Sequence, residues 1–301
     1  MMQKPISKQS FHLAGIIPVS GADLDYDFAW HPCLMPLDNG YSLIHRAIVE
    51  CAAAGCETIW VVANNDIAPL VKSQIGDYIQ DPVYYYRSQD PIPTERQIEI
   101  PIFFTPIGSM DRGKRDCFGW SIIHGAYTSY LVSKQLSKWV IPDKFYVAFP
   151  YGIYDPMLVK SMRRQISSQD NFAVRFDGKT VKDDEYLGFT FGQQDFINCR
   201  AHVRSEGTGR YDPNGERVDG IPKTLLPPEE RWSARHFELS KVFSKVSEDS
   251  IKYLDVDDYF SVDSWDKYQS YMSSDFSIGK PEHNWFSVST YKKSLLGFED
   301  E

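Results

Sequence analysis

The sequence predicts an α/β protein: a three-layer, mostly parallel sheet covered by helices. Three observations predict it. His12 to Ser20 is an apolar run that ends in Ser20-Gly21. Tyr41 to Ala54 then carries apolar residues at helical spacing and stops at Gly55. Glu57 to Ala63 is a second apolar run, followed by a second amphipathic stretch, Asp66 to Ile79. Strand, loop, helix, strand, helix in that order builds a parallel sheet with helices on its faces. Ligands of such sheets lie beyond the carboxyl ends of the strands, so the loop from Ala22 to Asn39 is the first place to look for function.

Further elements follow in order. Asp81 to Gln97 is polar and tyrosine-rich and predicts a loop or irregular hairpin. Ile98 to Ile107 predicts a strand, with Pro101 placing it at an edge or a bulge. Gly108 to Asp116 is a charged loop, and Phe118 to Lys138 a long helix. Lys144 to Phe149 reads as a short strand. Asp155 opens a helix, with Pro156 at its first position and Met157 to Ile166 continuing it. Phe172 to Phe176, Tyr186 to Phe191 and Phe196 to Val203 read as β segments. Ser205 to Lys223 reads as a long loop and Pro227 to Val246 as helix. Ile251 to Val256 predicts a strand and Ser264 to Met272 a helix, and the tail from Ser273 wraps over the body. The provisional division is a core over residues 1–200 and a C-terminal extension over 201–301, whose strand and helix near 251–272 complete the fold.

Bulk properties narrow the function. The chain has 301 residues, enough for a well-buried core. Its net charge is −9 and its pI about 5.3, which opposes nonspecific nucleic-acid binding. The five cysteines are scattered without a CxxC pair, as in a reducing compartment. The first residues lack a signal-type apolar core, and no stretch approaches the roughly 20 apolar residues of a membrane span. A cytoplasmic location is expected, in a host cell or a virus particle assembled there.

With the elements in place, the chain resembles the sugar-phosphate nucleotidyltransferases and the glycosyltransferases that share their Rossmann-like fold. Gly15 to Gly21 (GIIPVSG) stands where that family has its first strand and phosphate loop. His31 to Leu37 (HPCLMPL) stands for its proline-leucine segment, and Gly55 to Asn64 (GCETIWVVAN) for the next turn and strand. Tyr259 to Tyr268 (YFSVDSWDKY) resembles its closing strand and helix. The resemblance implies nucleotidyl transfer to a sugar phosphate, a nucleotide or sugar nucleotide as partner, and Mg²⁺ as cofactor.

That chemistry needs particular groups: backbone N–H groups at a glycine loop, cations on the phosphates, and two carboxylates for the metal. The chain departs from this pattern. Its loop offers Gly21 and then Asp23, Asp25 and Asp27, and no Lys or Arg occurs between Lys8 and Arg46. The family lysine falls on Pro32 or Cys33, and the two metal aspartates fall near Pro150-Tyr151 and Ser261. The resemblance therefore leaves two functions open. One is a divergent nucleotidyltransferase. The other is a catalytically silent relative serving as an assembly or scaffold component, for which the acidic, Tyr- and Asp-rich composition suggests a bacteriophage virion part.

Candidate sites follow from both. Gly21 with Arg112, Lys114 and Arg115 would hold phosphate; alternatively the charged loop is a solvated turn with local ion pairs. Asp23, Asp25 and Asp155 would hold the metal; alternatively they are helix caps and solvated acids. His31 is a candidate acid or base and Cys33 a candidate nucleophile, set against a packed histidine and a buried structural thiol. Trp30, Tyr84, Tyr85, Tyr86, Tyr151 and Tyr154 would stack on a base or sugar, or anchor a protein partner.

Overall fold

The computed structural model of the chain describes residues 11–287 other than 23, 27, 29, 86–97, 113, 137–140, 207, 210–223, 226 and 228–231. At its centre lies an eight-stranded sheet. In chain order the strands are β1 (Leu13–Pro18), β2 (Thr58–Val62), β3 (Tyr78–Gln80), β4 (Glu99–Thr105), β5 (Lys144–Val147), β6 (Phe172–Arg175), β7 (Phe189–Gly192) and β8 (Lys252–Asp255). Across the sheet they run β8-β6-β7-β5-β1-β2-β4-β3. Only β3 and β7 oppose the common direction. The sheet is thus mixed but mostly parallel, as the sequence predicts.

Helix α1 (Leu43–Ala54) and helix α3 (Phe118–Leu136) cover opposite faces of β1. Two glycines show why they come so close. A Cβ at Gly15 would stand 2.9 Å from the Cys51 sulfur of α1, and one at Gly125 of α3 would stand 2.9 Å from Ile16. Gly15 and Ile16 are neighbours on a strand, so they face opposite sides. Helices α2 (Ala68–Ile75), α4 (Gln193–Glu206) and α5 (Trp265–Met272) complete the set used below.

Several sequence expectations are corrected. The stretch from Asp66 to Ile79 is not one helix: α2 ends at Ile75, and Gly76 turns the chain at φ +76° into edge strand β3. Strand β4 is not an edge, for β2 and β3 flank it. Its pairing with β2 starts at Ile102, so the amide that Pro101 lacks costs no ladder bond there. Phe196 to Val203 is helix α4, not strand; its buried residues Asp195, Cys199 and Val203 recur every four positions. Pro227 to Val246 is not a continuous helix. Among the described residues it holds a short pairing of Trp232–Ser233 with Thr208–Gly209, a 3₁₀ turn at Ala234–His236 and one helical turn at Leu239–Val242. Asp155 does cap a helical start, with its carboxylate accepting from Met157 N at 2.8 Å, but Pro156–Met162 is 3₁₀ and only Arg163–Ile166 is α. Tyr86 and most of the loop 81–97 lie outside the described residues. The tail reaches edge strand β3, where Gln80 N donates to Trp285 O and Ser287 N to Tyr78 O.

Charged side chains sit inside this body. All twelve residues of α1 are buried, among them Arg46 and Glu50. Glu50 accepts from Arg46 Nη2 at 2.5 Å, from the Tyr146 hydroxyl at 2.6 Å and from the Tyr154 hydroxyl at 2.5 Å. Arg46 also donates to the carbonyls of Phe149 (2.9 Å) and Tyr154 (3.2 Å). Lys144 of β5 donates to the carbonyls of Ile166, Ser168 and Asp170, where the 156–166 helical segment ends. Burial lowers its pKa to about 8, against the opposing pull of Asp170 and Asp195.

Two predictions follow from these groups. Glu50→Leu alone strands the Arg46 charge and should cost about 3–5 kcal/mol in urea unfolding; a loss under 1 kcal/mol would show the network to be unimportant. For Lys144 the folded pKa lies below the free value of 10.5, so between pH 8 and 10.5 the unfolded chain holds more protons. Stability contributed by this group therefore rises with pH across that window. Wild type should gain on Lys144→Met between pH 8 and 10, and a flat difference refutes the assignment.

Candidate functional site

The crevice at the carboxyl ends of β1, β2, β4 and β5 is built from loops that hold one another. After β1 the chain turns: Val19 N and Ser20 N both donate to Val62 O. The Ser20 hydroxyl accepts from Asn64 N at 2.8 Å, and the Ser121 hydroxyl of α3 donates to Ser20 O. Gly21 follows at φ +83°. A Cβ there would lie 2.5 Å from Asp116 O. The space that glycine leaves open is thus filled by the protein's own backbone just ahead of α3.

Beyond Gly21 the loop is pinned to the segment before α5. Asp25 N donates to Asp263 O at 2.9 Å, and the Tyr26 hydroxyl donates to Val262 O at 3.1 Å. Desolvation, then nearby Asp263, raises the Tyr26 pKa, so this phenol stays protonated. Asp25 is exposed. Asp23 and Asp27 lie outside the described residues. Asp155 is engaged as a helix cap. Among the described residues no three His, Cys, Asp or Glu side chains gather into a metal-holding cluster.

The basic loop after β4 folds on itself. Arg115 Nε pairs with Asp111 at 3.2 Å, and its guanidinium stands 5.3 Å from the Trp120 ring. Arg112 Nε donates to Ile107 O at 3.3 Å. Arg112 and Lys114 are exposed. His31 Nδ1 accepts from Cys33 N at 3.4 Å, which caps the 3₁₀ turn Pro32–Leu34. Burial lowers the His31 pKa, opposed by Asp66, and burial pushes the Cys33 thiol up to about 12. The pair is a packed cap and a protonated thiol.

A cavity of about 280 Å³ opens against Gly21, lined among others by Phe118, Tyr186, Arg235, His236 and Glu238. It falls just below the roughly 300–1,000 Å³ usual for ligand sites. Arg235 reaches Asp116 at 2.9 Å with about half of its side chain still exposed. Sequence reasoning misses Arg235 and His236 as a site: they fall inside a stretch that reads as helix, with no motif spacing. At the end of β5, Tyr151 packs against Phe118 and Tyr186. Its buried hydroxyl has no hydrogen-bond partner among the described residues. This is one of the residues on which the resemblance places a metal aspartate.

No family profile matches the chain, and no curated protein sequence does. Solved structures share the fold. A Bacillus anthracis protein described as a glucose-1-phosphate thymidylyltransferase, in complex with sucrose, aligns over 89% of this chain and 98% of its own with a TM-score of 0.52 and 10% identity. Rv0371c from Mycobacterium tuberculosis H37Rv aligns with a TM-score of 0.48 and 10% identity, over 88% of this chain and 100% of its own. A UDP-glucose pyrophosphorylase in its apo form gives 0.47 and 12%, over 87% and 98%. The chain has the nucleotidyltransferase-like α/β fold; at 10% identity the likeness is one of fold.

The Tyr151 hydroxyl yields a prediction. Removing an unpaired buried donor relieves a desolvation cost. Tyr151→Phe should leave the urea midpoint unchanged or higher, and a fall of more than about 1 kcal/mol would show that the hydroxyl has a structural partner.

Proposed function

We propose that this chain binds a nucleoside triphosphate and a sugar phosphate in the crevice beside Gly21 and joins them by nucleotidyl transfer. The observation that carries the proposal is the cavity against Gly21, with Arg235 and His236 on its wall, at the carboxyl end of the first strand. Carboxyl ends of strands are where this class of sheet receives ligands. The positive charge the first loop lacks is supplied by Arg235, more than 200 positions later in the chain.

In this proposal an oxygen of the sugar phosphate attacks the α-phosphorus of the triphosphate. A new P–O bond forms, the bond from the α-phosphorus to the bridging oxygen breaks, and pyrophosphate leaves. Catalysis of such a transfer is positioning and charge stabilisation. Arg235 supplies positive charge to a phosphate, and no protein nucleophile is required. Mg²⁺ belongs to the same proposal. Asp25 and Asp263, paired through their main chains, are the carboxylates at this lip, and Mg²⁺ is commonly held by one or two carboxylates plus phosphate oxygens and water. When bound, the ion neutralises phosphate charge. Arg112, Lys114 and Arg115 would act, in this scheme, as an outer basic rim. The alternative, a silent scaffold protein, rests on composition and draws nothing from the cavity.

Ligand at ten times its Kd contributes about 1.4 kcal/mol, or about 3 °C in melting midpoint for a protein of this size. Millimolar dTTP with Mg²⁺ should give a shift of that order, and Arg235→Ala should abolish it while leaving the unliganded midpoint near wild type. The absence of a shift with each of ATP, GTP, CTP, UTP and dTTP overturns the proposal.

A further inference from the structure

The first-strand loop also builds an aromatic ladder that nucleotidyl transfer does not use. Tyr26, Phe28 and Trp30 alternate along the chain, so in an extended segment they share a face. Their rings stack in sequence, Tyr26 on Phe28 at 5.5 Å and Phe28 on Trp30 at 5.1 Å. Trp265, at the start of α5, meets Phe28 edge-on at 5.3 Å. Phe28 thus touches both indoles, Trp30 stacked at an interplanar angle of 15° and Trp265 edge-on at 85°, so the two ring faces form a bent surface rather than a flat one. Trp30 is 53% exposed and Trp265 43%, so both present a large ring surface to water. Neither indole is free to wander. The loop is tied to the α5 segment through Asp25 N, the Tyr26 hydroxyl and the Phe28 contacts. The α5 segment is tied in turn through the Tyr268 hydroxyl, which donates to Pro36 O at 2.5 Å.

The surroundings select the ligand. Among the described residues, Asp25 and Asp266 are the exposed charged groups next to the rings in sequence, and no Lys or Arg lies in the chain from Gln9 to His45. The one cation of the adjoining helical turn, Lys267, is paired with Asp263 at 2.7 Å. An uncovered carboxylate repels anions and accepts hydrogen bonds from hydroxyls. A fixed aromatic face takes flat apolar or C–H-bearing surface. Rigid rings flanked by acceptors, without cations of their own, match a neutral pyranose chain: ring C–H faces against the indoles, hydroxyls to the carboxylates. We propose that Trp30 and Trp265 form a binding platform for a neutral oligosaccharide at the lip of the crevice. This places a saccharide, longer than the cavity beside Gly21 can hold, next to the site proposed for transfer. It depends on that function for its purpose, not for its binding.

The experiment is titration of the full chain with maltotetraose, cellotetraose and chitotetraose, followed by intrinsic tryptophan fluorescence and by calorimetry, without nucleotide. At least one saccharide should bind at up to millimolar Kd with a change in indole emission. Trp30→Ala and Trp265→Ala should each weaken it at least fivefold, with melting midpoints within about 2 °C of wild type because neither ring is part of the buried core. Binding of dTTP with Mg²⁺ by the same variants should remain within twofold. No binding of any of the three saccharides overturns the platform, and so does quenching by free thymidine or uridine in their place, which would make it a base-stacking surface. A failure of nucleotide binding with saccharide binding intact would remove the transfer function and leave the platform standing.

Discussion

The carboxylate of Glu50 is the constraint on which the fold turns. It lies in a helix with no exposed residue, and an isolated charge there would cost far more than one domain's net stability. Three groups offset that cost: Arg46 one helical turn away, and the hydroxyls of Tyr146 and Tyr154 from the central strand and the segment after it. The geometry then propagates. Arg46 takes the carbonyls of Phe149 and Tyr154, so the chain leaving β5 follows one path. Gly188 must be glycine, because a Cβ there would stand 2.5 Å from the Glu50 carboxylate and 2.6 Å from the Tyr146 hydroxyl. One buried acid therefore fixes α1, the end of β5 and the approach to β7 relative to one another.

This bears directly on the crevice. The segment leaving β5 is where the resemblance places a metal aspartate, and here it carries Tyr151 in an aromatic setting with Phe118 and Tyr186. The path of that backbone is held by the Glu50 network and needs no metal to set it. The turn after β1 is likewise held from within: Gly21 gives its space to Asp116 and Cys117, and Ser20 is bonded from both β2 and α3. Protein contacts hold the outline of the crevice, and the ligand chemistry proposed for it lies further out, at Arg235 and the lip.

How much of this the sequence disclosed depends on the range of the interactions involved. The β1-α1-β2 unit was legible because its signals are local: apolar runs, helical spacing, and Gly55 as a left-handed cap at φ +97°. Asp155 with Pro156 was legible as a helical start for the same reason. Helix α4 was not, because its one-sided burial over Asp195, Cys199 and Val203 lies among aromatics that read as strand. The break at Gly76 was hidden because the tail, through Ser287, decides it from the far end of the chain. In the site, Gly21 and Asp25 were placed at the crevice by the order of elements. Arg235 was not, since only tertiary packing brings it to Asp116. No pattern along the chain encodes an unpaired hydroxyl such as that of Tyr151, which exists only as a balance of neighbours in space.

The distribution of charge in the crevice follows from the same separation. The first-strand loop is acidic and aromatic, while the nearest cavity cation comes from residue 235. Coulomb repulsion makes the acidic lip a poor seat for a bare polyphosphate, and a cation-bearing wall a poor seat for nothing but hydroxyls. On the proposed function, a ligand with an anionic end and a neutral, hydroxylated end would suit both surfaces, phosphate toward Arg235 and ring toward the indoles. A free nucleotide satisfies the lip only with a divalent ion between its phosphates and the aspartates. On the two proposals together, the arrangement would favour a substrate of mixed character over either a simple anion or a simple sugar, through one arginine and two tryptophans on a scaffold whose geometry is set elsewhere, in the buried charges of α1.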